Sequence, residues 1–340
     1  MLNWKNRQMI YLAKTFNSLF GVRSVRLDAS TYCQLKCPSC PTGKGFHEKG
    51  VVGKGFLSYE HFKQFVDNNP KVRHIELSNY GEIFLNPELY EIFQYAFQKK
   101  VHLTAFNGVN FNYVKDEVLE ALVKYKVKGL TLSIDGASDE TYSIYRKNGN
   151  FSQIIRNIER LNQFKEKYRS RWPILRWQFI LFGHNEHELT TAKSMAKQLK
   201  TYFCPRFNWD ESYSPVENKE KARQAINNNI IKKNLGGGVE NQESSRQNQP
   251  SVAYCTQFWC QPQVNWDGKL FGCCVNHFCD YGNVFSEGLG KLMAQEQYQD
   301  IKDVLFGKIV PDKDCPCFSC TLFQQLYPRF ERENPSKPYT

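Results

Sequence analysis

Apolar and polar residues alternate with a period of two in six short segments: Ser24–Ser30, Val72–Leu77, Val101–Ala105, Gly129–Ile134, Leu175–Leu181 and Tyr202–Asn208. That period is the mark of a strand with one face buried. Between these segments apolar residues recur at helical spacing. Ser58 stands as an N-cap before Phe62, Phe65 and Val66, and Asn86-Pro87 opens a helix carrying Leu89, Ile92, Phe93 and Ala96. Ile154, Ile155, Ile158 and Leu161 mark a longer helix, and Leu189, Ala192, Ala196 and Leu199 another. Strands alternating with helices predict parallel strands joined by crossover helices. The expected fold is therefore α/β, a partial (β/α)6 TIM-like barrel over residues 22–210.

The flanking segments differ in character. Residues 1–21 read as a basic amphipathic helix whose face of Met9, Ile10, Ala13, Phe16 and Phe20 is expected to pack on the barrel. Contact with a membrane surface or nucleic acid is the alternative use of that helix, and no nucleic-acid motif supports it. Residues 211–254 are polar and without period, a linker holding one short helix near Lys219–Lys232. A compact cysteine-rich unit is expected over residues 255–325, followed by a tail, 326–340.

Composition adds two things. Lys and Arg number 45 against 34 Asp and Glu, a net charge of +11 that no motif explains. No apolar run reaches the ~18 residues of a membrane span. Lys14 interrupts Met9–Ala13, so no signal-peptide core forms, and the expected location is cytoplasmic. In that reducing compartment, twelve cysteines point to metal rather than disulfides.

Their spacing carries the chemistry. Cys33, Cys37 and Cys40 follow the first strand directly as C-x3-C-x2-C. Barrels of this kind place active groups at the C-terminal ends of strands. Three soft thiolates in one loop suit three irons of a 4Fe-4S cube, leaving the fourth open to a ligand. A structural zinc site is the alternative, with His47 as the nearby fourth donor.

This loop resembles that of the radical S-adenosylmethionine (radical SAM) enzymes, and ordered partners over roughly residues 22–210 strengthen the resemblance. Leu77-Ser-Asn-Tyr-Gly81-Glu82 is similar to the family's "GGE" element, with Tyr80 at the first glycine. Phe106-Asn107-Gly108 resembles its "TNG" turn, with Phe106 for Thr, and Ser133-Ile-Asp-Gly136 with Tyr145-Arg146 resembles its ribose-contact strand and following helix. Ile180–Glu186, containing Asn185, resembles the fifth-strand element near the adenine. Many members carry an aromatic before the third cysteine, where this chain has Ser39. The resemblance implies that Glu82 receives the SAM amino group, Arg146 its carboxylate and Ser133 a ribose hydroxyl. Asn107 and Asn185 complete the implied SAM-binding set.

The later cysteines resemble the SPASM-type extension of the same family, in its abbreviated "twitch" form. Cys255, Cys273, Cys317 and Cys320 match the ligands of one auxiliary 4Fe-4S cluster, with Asp267-Gly268 turning a hairpin that returns Cys273 toward Cys255. Cys204, Cys260, Cys274, Cys279 and Cys315 then have no assigned role, although Cys260 and Cys315 compete for the fourth ligand position. Two auxiliary clusters, or a zinc site, are the alternatives.

The resemblance implies reductive cleavage of SAM to a 5′-deoxyadenosyl radical, hydrogen abstraction from a C–H bond, and oxidation of the substrate through the auxiliary cluster. A dehydrogenase-like oxidoreductase is expected, fed by a reductant such as flavodoxin or ferredoxin. The expected substrate is a small sugar- or aminocyclitol-like alcohol, since only about 22 residues precede the barrel, too few for a separate peptide-recognition domain. Peptide modification is the alternative within the family; a non-enzymatic iron–sulfur scaffold is the alternative of another class.

Overall fold

Six strands lie side by side in the order of the sequence: β1 (Ser24–Leu27), β2 (His74–Glu76), β3 (His102–Val109), β4 (Gly129–Ser133), β5 (Ile174–Leu181) and β6 (Tyr202–Phe207). Every neighbouring pair is parallel. The computed structural model describes residues 4–46, 50–210, 212–228 and 254–327. The crossovers are α2 (Tyr59–Asn68), α3 (Leu89–Gln98), α4 (Asp116–Lys124), then α5 (Asp139–Tyr145) with α6 (Phe151–Lys167), and α7 (Leu189–Gln198). A short α8 (Lys219–Asn228) follows β6. The expected six-stranded partial barrel is present.

The alternation seen in the sequence has a direct cause in this architecture. In β5, Leu175, Trp177, Phe179 and Leu181 are buried while the residues between them are only half covered. In β1 and the residues after it, Val25, Leu27 and Ala29 join the apolar core, and Arg26 and Asp28 occupy the opposite, polar face. The helix starts are fixed by side-chain caps. Ser58 accepts from the His61 amide at 3.2 Å, Ser138 from Thr141 at 3.2 Å and Asn150 from Gln153 at 2.7 Å.

The cysteine-rich unit contains α9 (Gln257–Cys260), β7 (Gln263–Val264), α10 (Val284–Glu287), α11 (Leu289–Ala294), α12 (Glu296–Phe306) and α13 (Thr321–Leu326). The expected hairpin is there: the Phe271 amide donates to the Gln263 carbonyl at 2.8 Å, and the Asn265 amide to that of Lys269 at 2.9 Å. Its turn needs Gly268, whose φ is +91°. One feature goes beyond the sequence reading. The other edge of β7 pairs in parallel with β1, Arg26 opposite Gln263 and Leu27 opposite Val264, so the hairpin extends the barrel sheet. Gln261 also donates to Ser24 Oγ at 2.9 Å, and Trp266 to the Val52 carbonyl at 3.1 Å.

The N-terminal helix, α1 (Trp4–Phe20), corrects an expectation. It packs chiefly on α9 and α12 of the cysteine-rich unit rather than on the barrel. Ile10 is buried and Met9 and Ala13 are half-buried, but Phe16 and Phe20 are 49% and 51% exposed. The two small helices cover only the first half of the apolar stripe. The predicted helix near Lys219–Lys232 is seen as α8, and most of the 211–254 linker and the 326–340 tail lies outside the described residues. Among the described residues no helix is long and apolar enough to cross a membrane.

Candidate active site

The chain leaves β1 and turns into the loop that carries Cys33, Cys37 and Cys40, at the C-terminal end of the strand. The segment after β2 packs against this loop: the Glu82 amide donates to the Tyr32 carbonyl at 2.7 Å. Gly81 is required there, because a Cβ would lie 2.4 Å from the Ser30 carbonyl oxygen. The three cysteines gather in one small apolar cluster with Leu35, Tyr145 and Phe182. Burial pushes the Cys33 thiol up to about 12, helped by Glu82, Cys37 and Cys40. Burial raises Cys37 as well, opposed by the Arg146 guanidinium.

Two donors point at these sulfurs. Arg146 Nη1 lies 3.7 Å from Cys37 Sγ, and Asn110 Nδ2 lies 3.8 Å from Cys33 Sγ. N–H groups beside thiolate sulfur are what an iron–sulfur cluster uses to tune its charge. His47, the fourth donor of the zinc alternative, lies outside the described residues, and among the described ones no three His, Cys, Asp or Glu side chains are grouped to hold a single metal ion. The donor set fits a cube, in which each thiolate takes its own iron.

The other expected residues lie around this loop. Glu82 is buried and accepts from the amides of Asn110 and Phe84; burial pushes it up to about 7. Each carboxylate oxygen carries two acceptor sites, so room remains for a ligand donor. Arg146 is ion-paired with fully buried Asp135 at 2.6 Å, which leaves part of its five-donor fork for a ligand. Ser133 ends β4 and faces Gly108, where a Cβ would be 2.7 Å from its Oγ. Asn107 is exposed and its side chain donates to Asn79 Oδ1 at 3.1 Å.

Asn185 is held differently from the expectation of a ligand contact. Its Nδ2 donates to the carbonyls of Asp135 and Ile180, and its Oδ1 accepts from the Phe182 amide at 2.8 Å. Its amide is spent on shaping the turn after β5.

The structure also supplies residues that sequence reasoning missed. Ser39 does not face an aromatic gap; its hydroxyl donates to Asp210 at 2.8 Å. Aromatic surface comes instead from Tyr145, Phe182, His184 and Tyr213. The Tyr145 and Phe182 rings are 4.5 Å apart, and Phe182 stacks on His184 at 5.0 Å. Tyr213 stands edge-on to Phe182 and, with Leu181, Phe207 and Val216, lines a cleft of about 430 Å³. Nothing in the spacing of Tyr213 tied it to Ser39; the tie runs through Asp210 and the fold of the segment after β6.

A second set of thiols gathers in the cysteine-rich unit. Cys255 lies within electrostatic reach of Cys273, Cys317 and Cys320, and burial raises Cys255, Cys273 and Cys320. Cys317 shares a sulfur hydrogen bond with Cys315, and that bond leads the rise in its thiol. Cys260 stands apart, donating to the Thr256 carbonyl at 3.2 Å, whereas Cys274, Cys279 and Cys315 border the set. Cys204 donates to the Tyr202 carbonyl on β6.

Tyr80, at the first glycine of the "GGE" element, joins the two sets. The Thr42 hydroxyl donates to its carbonyl, and its own hydroxyl lies 3.2 and 2.8 Å from the carbonyls of Cys274 and Asn276.

Comparison with known proteins identifies the domain. Residues 28–194 match the Radical SAM superfamily. This chain carries a radical SAM domain. Such domains use a 4Fe-4S cluster and SAM. Over 179 residues the chain is 25% identical to an AdoMet-dependent heme synthase of Methanosarcina barkeri, covering 52% of this chain and 48% of that one. It thus spans about half the length of that relative. SuiB of Streptococcus suis, bound to S-adenosylmethionine, shares the fold at a TM-score of 0.63 and 12% identity, over 94% of this chain and 76% of that one. Histidine-tagged anSMEcpe with bound AdoMet shares it at 0.57 and 17%, over 89% and 84%.

Proposed function

We propose that this radical SAM enzyme takes a hydrogen atom from a C–H bond of a polar substrate and completes a net oxidation, the second electron leaving through one auxiliary 4Fe-4S cluster. When bound, SAM and its cluster supply the 5′-deoxyadenosyl radical that makes such an abstraction feasible. Cys33, Cys37 and Cys40 hold that cluster, and Cys255, Cys273, Cys317 and Cys320 hold the auxiliary one. Glu82 accepts from the SAM amino group and Arg146 donates to its carboxylate. Ser133 meets a ribose hydroxyl, Asn107 borders the same pocket, and Asn185 shapes its adenine end. Tyr145, Phe182 and Tyr213 give the apolar wall and exclude water.

The observation that carries this reading is the convergence of four thiols from three separate segments, next to a turn that Tyr80 ties to the first cysteine loop. An auxiliary cluster held there would give the substrate radical an electron acceptor and so favour oxidation over isomerisation. A small reducing protein of the flavodoxin or ferredoxin kind delivers the first electron, in a cytoplasmic setting.

The preferred substrate is a small sugar- or aminocyclitol-like alcohol, in keeping with the single-cluster cysteine spacing. A peptide substrate is the second reading. It is favoured by the fold shared with SuiB bound to precursor peptide SuiA, at a TM-score of 0.60 over 94% of this chain. Anaerobic reconstitution, iron and sulfide analysis and Mössbauer spectra test the cofactor assignment. About eight irons per chain are expected in the wild type and about four in the Cys33/Cys37/Cys40 triple alanine variant. One deoxyadenosine per oxidised product is the expected stoichiometry; regenerated SAM, or turnover without an oxidised product, would overturn the reading.

A further inference from the structure

The polar face of β1 and the residue after it carries Arg26 and Asp28, and the charges around Asp28 do not balance. Asp28 is 1% exposed, and neither of its oxygens has a hydrogen-bond partner. The guanidinium beside it is engaged elsewhere: Arg26 Nε donates to Gln263 Oε1 at 3.0 Å and Nη2 to the Ser78 carbonyl at 3.1 Å. The Gln263 side chain comes within hydrogen-bonding reach of the carboxylate and favours its charged form, but its amide nitrogen is aligned on the Val264 carbonyl at 3.1 Å.

The charged groups that act on Asp28 come from β1, β2 and the β7 hairpin. Arg26 is on its own strand. Glu76 on β2 has its oxygens occupied by Ser78, Thr104 and the Phe106 amide. Asp267 in the hairpin turn is ion-paired with Lys269 at 2.8 Å. Tyr80, after β2, and Cys274, after the hairpin, also lie within reach of Asp28, and burial raises both. Three carboxylates thus face two cations. Without a ligand the chain resolves the excess by protonation, and burial pushes Asp28 up to about 8. A donor-bearing cation resolves it otherwise.

We propose that the end of β1 is a subsite for a primary ammonium group of the substrate, with Asp28 as its acceptor. An ammonium carries three donors on one compact centre, enough for both carboxylate oxygens, and it supplies the missing charge. A hydroxyl offers one donor and no charge. The inference rests on the proposed function for the view that a substrate occupies the barrel, and it narrows that substrate. An amino sugar, an aminocyclitol or a lysine-bearing peptide qualifies; a neutral sugar does not. Asp28 stands where β1 leads toward the first cysteine loop, within electrostatic reach of Cys274 and Tyr80.

Infrared difference spectra of the cluster-loaded protein under anaerobic conditions test the proposal, with methylammonium chloride as the probe. Tetramethylammonium chloride is the control, equal in charge but without a donor. At pH 7 the wild type should show a carboxylic-acid C=O component that the wild-type-minus-Asp28→Asn difference spectrum isolates from those of Glu82 and Asp135. Methylammonium should bleach the band and tetramethylammonium should not. Methylammonium affinity should rise about tenfold from pH 6 to pH 7, as the competing proton is lost. Absence of the band, its indifference to methylammonium, or an equal response to both cations would overturn the proposal. Should Asp28→Asn fold poorly, Asp28→Glu in protein labelled with 13C-aspartate identifies the band, since only the Asp28 component then loses its isotope shift while that of Asp135 keeps it. The SAM-induced change in the electron paramagnetic resonance of the reduced cluster is read separately. Its loss would sink the radical SAM reading without touching the Asp28 result.

Discussion

The two cysteine sets are built by opposite means. Cys33, Cys37 and Cys40 belong to a single loop and are held from outside, by Asn110 and Arg146 at the sulfurs and by Asp210 through Ser39. Cys255, Cys273, Cys317 and Cys320 come from three segments that meet only because α9, the β7 hairpin and the turn before α13 pack together. The first set is a loop placed on a finished barrel. The second belongs to the main apolar core, with Cys255 and Cys317 inside it and Cys273 and Cys320 packed against it, whereas the first forms a small cluster of its own. Losing a cluster should therefore cost the first region chemistry and the second region structure.

The largest effect expected is that of Cys37→Ala. Cleavage of SAM should fall to the background of cluster-free protein, and iron should drop by about four per chain. Because the barrel does not depend on the loop, the thermal midpoint should barely move. A fall comparable to that of an auxiliary variant would mean that the first set is structural too. Cys317→Ala should do the reverse. Iron again falls by about four, SAM is still cleaved, oxidised product is lost, and the midpoint drops because cluster binding contributes to folding of that unit. Retained product formation would remove the auxiliary cluster from the reaction.

Tyr80→Phe gives a smaller effect and tests the tie between the regions. It removes the hydroxyl that reaches the Cys274 and Asn276 carbonyls. A loss of about 1 kcal/mol is expected. Amide exchange should quicken ~5-fold in the Cys273–Asn276 turn, with the first cysteine loop unchanged. Uniform quickening would show that Tyr80 is an ordinary core residue.

What the sequence made legible follows the same division. The six barrel strands were readable because each has one face on helices, as the alternation of Leu175, Trp177, Phe179 and Leu181 shows. The first cysteine loop was readable because its ligands are neighbours in the chain. Tyr80 was visible only as a departure from "GGE", since its hydroxyl meets a carbonyl 194 residues away. Asp28 looked like one more polar alternate; only the positions of Arg26 and Gln263 reveal that its oxygens go unanswered. Tyr213 and the docking of α1 were hidden for the same reason. Both depend on which surface a distant segment offers, and local periodicity holds no record of that.

The smallest effect concerns how the second region tolerates poor packing. Lys302 lies on α12, is 7% exposed, and has its ammonium 4.9 Å from the centre of the Tyr298 ring. Burial alone lowers its pKa to about 8. Between pH 8 and the ordinary lysine value, the unfolded chain binds more protons than the folded one, so stability rises with pH across that window. Below it, the cost of the buried charge is fully present. Lys302→Met keeps the length of the side chain and removes the charge. It should stabilise the protein at pH 7 by about 0.5 kcal/mol, because solvent at the ammonium and the lost ring contact offset most of the gain. The gain should shrink toward pH 10 as the wild-type lysine becomes neutral. Thermal unfolding of cluster-loaded protein at the two pH values measures it. A gain independent of pH would mean that the methionine side chain merely packs better. No gain at all would mean that the ammonium is already satisfied, and that the second region owes less of its stability to its thiols than the comparison holds.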